Sequence, residues 1–286
     1  MSNIALLLVL SAAFAHATWN YLAKRASGGT PFVWLFGVVS TIAYLPLAIG
    51  ILIYQKPVIG FYQLVFMAGT AVLHCAYFHL LDKGYRIGDL SLIYPLARST
   101  GPLLAMIAAI LFLGEQPTIV TISGGLLILA GVFFLTGNPL LLKEPGASKP
   151  AIFAVLCGIV IASYTVWDKM AVSYYLVPPL LLDWSSNFGR TLLLTPYAAR
   201  NRSLIYAQWK MNKRFVIAVG ILCPLAYILI LTALVFSPVS YIAPAREISI
   251  LVGTVLGAKL LSEGNLTSRL AAASAMVVGL IILSFG

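Results

Sequence analysis

Two arginines lie inside long apolar stretches of this sequence, where an ionised side chain is costly to bury. Arg98 lies in the stretch 90–112 and Arg246 in the stretch 238–260, each about eight residues, or roughly 12 Å of helix, from its beginning. The planar fork of donors on arginine suits a carboxylate or a phosphate. The pair therefore predicts an anion-binding site, with a structural ion pair and an arginine that snorkels to the membrane surface as alternatives.

Two neighbouring residues are candidate substrate-binding partners of these arginines. Tyr94 lies one helical turn before Arg98 and could hydrogen-bond a substrate, although an aromatic residue at this spacing more often serves packing. Glu247 directly follows Arg246. Adjacent helical positions point about 100° apart, so we expect Arg246 and Glu247 to pair poorly with each other.

His16 and His74 also lie in apolar stretches, where a neutral imidazole that faces a cavity can relay protons. With these two histidines, the candidate substrate-binding residues are Arg98, Arg246, Tyr94, Glu247, His16 and His74. Proton relay by the imidazoles would make the proton a candidate ion that is coupled to substrate movement. Neither has the spacing to other His or Cys residues that metal ligation needs. Since the stretches also contain no Ser/His/Asp set or paired carboxylates, we expect no metal, no cofactor and no enzymatic activity.

Two aromatic-polar pairs end apolar stretches near opposite membrane surfaces. Trp19 and Asn20 precede Trp167 and Asp168 by 148 residues. Tryptophans at such places can be interface anchors, and the same four residues could form two gates over a central site. Both interpretations stay open.

Asp183 and Arg190 form a further polar pair within an apolar stretch. They are seven residues apart, two turns along one helical face. This is too far for direct contact, so the sequence assigns them no role.

The composition requires that these residues be positioned by membrane helices. Hydrophobic residues make up 61% and charged residues 9% of the chain, against roughly 45–50% and about 25% in soluble domains. Apolar blocks of about twenty residues fit helices that cross a bilayer. Prolines 95, 102 and 244 are expected to interrupt the fourth and ninth spans. The ten predicted spans are 3–23, 31–54, 61–82, 90–112, 117–137, 151–173, 179–199, 213–236, 238–260 and 266–285.

The chain also matches itself at an offset of 148 residues. This register aligns Trp19 with Trp167, Arg98 with Arg246, and a further Glu with Glu in one unbroken alignment. Five spans per half place the second copy in the opposite orientation. We therefore predict two inverted five-helix repeats, 3–137 and 151–285, with a substrate site near the midplane where they meet.

The net charge of +10 is distributed as in a membrane protein. Thirteen basic residues fall in connections on one predicted side and two on the other, and the most polar connections are 138–150 and 200–214. Basic residues favour the cytoplasmic side, which places both termini outside the cytoplasm of an inner membrane. Because the basic residues form no stripe with interleaved aromatics, we expect no nucleic-acid partner.

A motif in the first half resembles a known family. The run 113–117, Leu-Gly-Glu-Gln-Pro, and the glycine-rich run 124–132 are similar to the signature of EamA-type members of the drug/metabolite transporter superfamily. The second half keeps Leu261, Glu263 and Gly279, although Ser262 replaces the family's glycine. The resemblance implies ten spans and a central cavity lined by helices 1, 3, 4, 6, 8 and 9. We expect a structural role for Glu115, near the first turn of the fifth helix.

These features together predict a secondary-active transporter that works by alternating access. The resemblance implies a small organic metabolite, and the arginines favour an anion or a zwitterion such as an amino acid, organic acid, phosphonate or sugar phosphate. A lipid flippase and a non-transporting membrane subunit are the alternatives. The sequence leaves open the direction of transport and the coupling ion.

Overall fold

The described part of the chain is mainly helical, as seen in a computed structural model that describes residues 2–26, 28–87, 90–136, 148–256 and 266–286. Some side chains within these ranges, that of Tyr94 among them, lie outside the described part. Throughout the described ranges the regular structure is α-helical. The helices are α1 Asn3–Ala26, α2 Gly29–Tyr54, α3 Phe61–Ile87, α4 Leu90–Leu113, α5 Ile119–Thr136, α6 Ser148–Ser173, α7 Pro179–Arg200, α8 Arg202–Phe236, α9 Val239–Ala245, α10 Ile248–Leu256 and α11 Leu266–Phe285.

Several of these helices have the length and composition of membrane spans. Among the described residues, α1, α2, α6, α8 and the part of α4 from Leu96 to Leu113 are apolar over at least 18 residues. Shorter apolar helices cover Phe61–Tyr77, Ile119–Leu135 and Leu270–Phe285. The predicted fold class, an all-α membrane protein, is thereby confirmed, while the count of ten spans stays a prediction.

The ninth predicted span is broken into α9 and α10, with Arg246 and Glu247 between them. Around the break, backbone hydrogen bonds join residues that are three apart in sequence and not four. Glu247 N–H donates to Pro244 O at 3.0 Å, and Ser249 N–H donates to Arg246 O at 3.2 Å. Proline supplies no N–H and cannot continue the regular ladder. In the fourth span, by contrast, α4 continues through both of its prolines.

The long helix α8 consists of two segments joined at Asn212, whose φ of −125° and ψ of 19° are not helical. Its 35 residues would extend about 52 Å, well beyond a hydrocarbon core of roughly 30 Å. A helix of this length cannot lie entirely within the core along the membrane normal. The sequence predicted only a polar connection at 200–214, and the structure corrects this to helix over most of that range.

Contacts between the two predicted repeats occur in reciprocal pairs. The contact of α1 with α8 corresponds to that of α6 with α3. Likewise, the contact of α4 with α6 corresponds to that of α10 with α1. Two further pairs join equivalent helices, α2 with α7 and α5 with α11. An inverted repeat requires this reciprocity, although the division into 3–137 and 151–285 stays a prediction.

The glycines of the signature run form the α5–α11 contact. A Cβ at Gly124 would lie 2.6 Å from Leu283 N, and one at Gly131 would lie 2.4 Å from Met276 Cγ. From the other side, a Cβ at Gly279 would lie 2.8 Å from Gly124 O. Small residues let membrane helices approach this closely, so the motif specifies helix packing.

Glu115 joins the first half to the second. Its Oε1 accepts a hydrogen bond from Val239 N–H at 2.6 Å and its Oε2 one from Ser240 N–H at 2.9 Å. A carboxylate at a helix N-terminus satisfies donors that have no partner within the helix. The capped helix is α9 and not the fifth helix expected from the sequence, because the chain brings α9 against the α4–α5 connection. Glu263, its counterpart, lies outside the described residues.

Candidate functional site

A cavity of about 410 Å³ is lined by residues from both of the predicted repeats. This volume falls within the roughly 300–1,000 Å³ of typical small-molecule sites. The residues that line it belong to α1, α3, α4, α6, α7, α8, α10 and the α9–α10 break. Helix α7 is an addition to the set that the family resemblance implies. The polar and aromatic lining residues are His16, Trp19, Asn20, His74, Tyr77, Arg98, Tyr164, Asp183, Ser186, Asn187, Arg190, Tyr227, Arg246 and Ser249.

At one wall of the cavity, Arg98 and Arg246 share a single carboxylate. Arg98 Nη2 lies 3.0 Å from Glu247 Oε2, and Arg246 Nε lies 3.3 Å from Glu247 Oε1. The Glu247 side chain is fully buried, while those of the arginines are 11% and 10% exposed. The expectation that Arg246 and Glu247 would pair poorly is wrong, because the α9–α10 break allows adjacent side chains to converge.

This cluster carries two positive charges and one negative charge. Arg98 and Arg246 line the cavity, whereas Glu247 lies behind them. The Arg246 guanidinium also lies 5.8 Å from the centre of the Tyr164 ring, and its Nη2 has no hydrogen-bond partner among the described residues. Because an excess charge in a low-dielectric interior is unfavourable, the wall is suited to an anion.

Helix α7 contributes a row of polar side chains to the cavity. Asn187 Nδ2 donates to Asp183 Oδ2 at 2.9 Å, and Arg190 Nη2 donates to Asn187 Oδ1 at 2.6 Å. Asn187 therefore joins the two charged residues that the sequence left unassigned. The signal for this row was present, because Asp183, Ser186, Asn187 and Arg190 follow the i, i+3, i+4, i+7 spacing of one helical face.

Both candidate histidines line the cavity. His74 Nδ1 lies 2.9 Å from Thr70 O, and its ring stacks on Tyr164 at 4.5 Å between centroids. The carbonyl oxygen can only accept, so Nδ1 carries the proton. His16 packs against the edge of Trp19, with centroids 5.0 Å apart. Packing on aromatic rings holds the orientation of both imidazoles.

The two candidate gates differ in their contacts. Asp168 is fully buried outside the cavity lining, where it accepts hydrogen bonds from Thr70 Oγ1, at 2.6 Å, and from the hydroxyl of Tyr227. Trp167 Nε1 donates to Phe66 O at 2.9 Å. These hydrogen bonds hold Trp167 and Asp168 of α6 against α3 and α8.

At the other candidate gate, Trp19 and Asn20 both line the cavity. Asn20 is exposed, and among the described residues its side-chain amide donates to His16 O of the same helix at 3.0 Å. Trp19 Nε1 is buried with no hydrogen-bond partner among the described residues. The Tyr94 side chain, predicted to lie beside Arg98, is outside the described part of the structure.

The described residues contain no group of three His, Cys, Asp or Glu side chains that could hold a metal ion. The absence of a metal, cofactor and enzymatic activity stays an expectation from the sequence. What the cavity offers chemically is charge and hydrogen bonding on several faces, which suits reversible binding of a polar molecule.

Comparison with known proteins agrees with the helical membrane fold. One solved structure, described as a crystal structure of a protein, aligns with a TM-score of 0.73 over 98% of both chains at 14% identity. At this identity the likeness is one of fold alone. No curated protein matches the sequence significantly. Residues 3–137, the first of the two predicted repeats, match the EamA-like transporter family, so this part of the chain is similar to EamA-type transporters.

Proposed function

We propose that this protein is a secondary-active transporter that carries a small organic anion or zwitterion across the membrane by alternating access. The observation that carries the proposal is the shared carboxylate: an arginine from each half contacts Glu247 and lines one central cavity. A site at the junction of the halves is accessible from either side when the halves rock against each other. Amino acids, organic acids, phosphonates and sugar phosphates all fit its charge.

The positive charge of the wall formed by Arg98 and Arg246 disfavours cationic substrates. With Glu247 already between the two arginines, the wall keeps a net positive charge that repels a cation and attracts an anion. A carboxylate or phosphonate would add the missing negative charge and accept hydrogen bonds from the guanidinium donors. The candidate substrate-binding set is therefore Arg98 and Arg246 with His16 and His74 at the cavity wall, Glu247 as their support, and Tyr94 as a proposed hydrogen-bond donor.

The unequal gates support the alternating-access part of the proposal. The pair Trp167 and Asp168 makes contacts that the pair Trp19 and Asn20 does not make. If the repeats exchange conformations, the contacts of Trp167 with Phe66 and of Asp168 with Tyr227 should reappear between the residues 148 positions away. Trp19 N–H would then meet the carbonyl of Arg214, the counterpart of Phe66, and Asn20 would meet His79, the counterpart of Tyr227.

A thermal-shift screen of purified protein tests the charge preference, because a ligand that binds only the folded state raises its stability. The panel contains carboxylates, phosphonates and sugar phosphates beside cations and neutral molecules of similar size. We expect stabilisation by members of the anionic group and its loss in Arg98→Ala and Arg246→Ala. Stabilisation by cations alone, or an unchanged anion response in both variants, would contradict the proposal.

A further inference from the structure

The polar row on α7 includes the carboxylate of Asp183, to which the proposed anion binding assigns no role. Asp183 is 5% exposed and lines the cavity. Only its Oδ2 accepts a hydrogen bond, from Asn187, whereas Oδ1 accepts none from the described residues. A nearly buried carboxylate with one oxygen left over is unfavourable unless a donor or a cation reaches it.

The protein's own cation on this face is already engaged elsewhere. Arg190 Nη2 is bound to Asn187 Oδ1, and its guanidinium lies 5.2 Å from the centre of the Phe36 ring. Asn187 is therefore placed between Arg190 and Asp183 and contacts both. This arrangement orients the Asp183 carboxylate and leaves its second oxygen for a molecule in the cavity.

We propose that Asp183 binds an ammonium group of the substrate while Arg98 and Arg246 bind its anionic group. The site would then take amine-bearing acids, such as amino acids and aminophosphonates, in preference to simple acids. An ammonium offers three donors and a full positive charge to the free oxygen of Asp183. This inference rests on the proposed function, since it assigns the other end of the same substrate.

Ser186 adds a polar atom on the same face. It lies one turn after Asp183, lines the cavity and is buried to the same degree, at 8% exposure. A hydroxyl can accept a further hydrogen bond from an ammonium that already contacts a carboxylate. Asp183 and Ser186 thus offer acceptors, whereas the wall formed by Arg98 and Arg246 offers donors.

Matched ligand pairs that differ only in the amine test this assignment. Calorimetric titration compares 3-aminopropionate with propionate and 2-aminoethylphosphonate with ethylphosphonate, on wild type and on Asp183→Asn. We expect wild type to bind the amine-bearing member at least about thirtyfold more tightly, the lower end of the effect of removing one partner of a desolvated charge pair. In Asp183→Asn this preference should disappear, while affinity for the amine-free member is kept because asparagine can still accept from Asn187.

Ser185→Ala is the matched control, since Ser185 is adjacent but does not line the cavity, and its hydroxyl bonds Leu182 O within α7. It should keep the wild-type preference. Equal affinities for both members of each pair in wild type would overturn the ammonium assignment alone. An Asp183→Asn variant that keeps the preference but loses pH-dependent uptake would also overturn it and make Asp183 a proton site. Wild type that binds no member of either pair would count against the anion site itself.

Discussion

Arg98 contacts Glu247 through its terminal Nη2, whereas Arg246 uses Nε, so their guanidinium groups present different edges. Recognition of a carboxylate or phosphonate by such edges depends on geometry as well as charge. Lysine keeps the charge at position 98 but supplies a point donor on a flexible stem. A substitution that conserves charge therefore separates the two contributions.

We expect Arg98→Lys to weaken binding of an anionic ligand by at least about tenfold, close to the loss in Arg98→Ala, because hydrogen bonds to charged groups contribute roughly 1.5–3 kcal/mol. Titration of the best ligand from the anion panel measures this. Arg25→Lys is the control, since Arg25 is exposed and outside the cavity lining. Wild-type affinity in Arg98→Lys would mean that charge alone matters.

Sequence reasoning identified the two arginines because the repeat aligns them and because charge within an apolar span is rare. It missed the role of Glu247, since a continuous helix would point Arg246 and Glu247 in different directions. It also left Asp183 and Arg190 apart, although Asn187 lies between them. The helical spacing of Asp183, Asn187 and Arg190 is visible in the sequence, but the contacts that join them require side-chain positions.

At the scale of helices, the α5–α11 contact depends on glycines that leave no space for a side chain. A Cβ at Gly131 would lie 2.4 Å from Met276 Cγ and 2.8 Å from Ala272 O. One of these neighbours is backbone and cannot move without shifting α11. The close approach of the two helices therefore requires glycine at this position.

We expect Gly131→Leu to destabilise the protein by at least about 1–3 kcal/mol, the usual penalty of overpacking, and to lower its thermal unfolding temperature. Gly50→Leu in α2 is the matched control, because nothing lies within 4 Å of a Cβ there. Unfolding of both variants in the same detergent gives the comparison. Equal stability would show that α5 and α11 separate at little cost.

Helix positions were largely predictable, whereas helix continuity was not. The predicted spans 31–54 and 61–82 agree with α2 Gly29–Tyr54 and the first part of α3 Phe61–Ile87. Proline was expected to interrupt both the fourth and ninth spans, but only the ninth is broken. The outcome depends on how neighbouring helices satisfy the freed backbone groups, and those neighbours are distant in sequence.

At the scale of the whole molecule, the account requires that one central cavity be closed alternately at its two ends. We propose that the closed end in this structure is the one at Trp167 and Asp168, where Thr70 Oγ1 lies 2.6 Å from Asp168 Oδ1. A covalent link at this contact should hold the gate shut. Transport then becomes a test of whether the gate must open.

The most direct measurement is counterflow in proteoliposomes, using the best ligand from the anion panel and a Thr70→Cys, Asp168→Cys variant without its native cysteines. We predict that the reduced variant exchanges labelled ligand, that oxidation to the disulfide stops exchange, and that reductant restores it. A Ser185→Cys variant of the same background, treated identically, should exchange throughout. Undiminished exchange by the cross-linked protein would contradict alternating access through this gate.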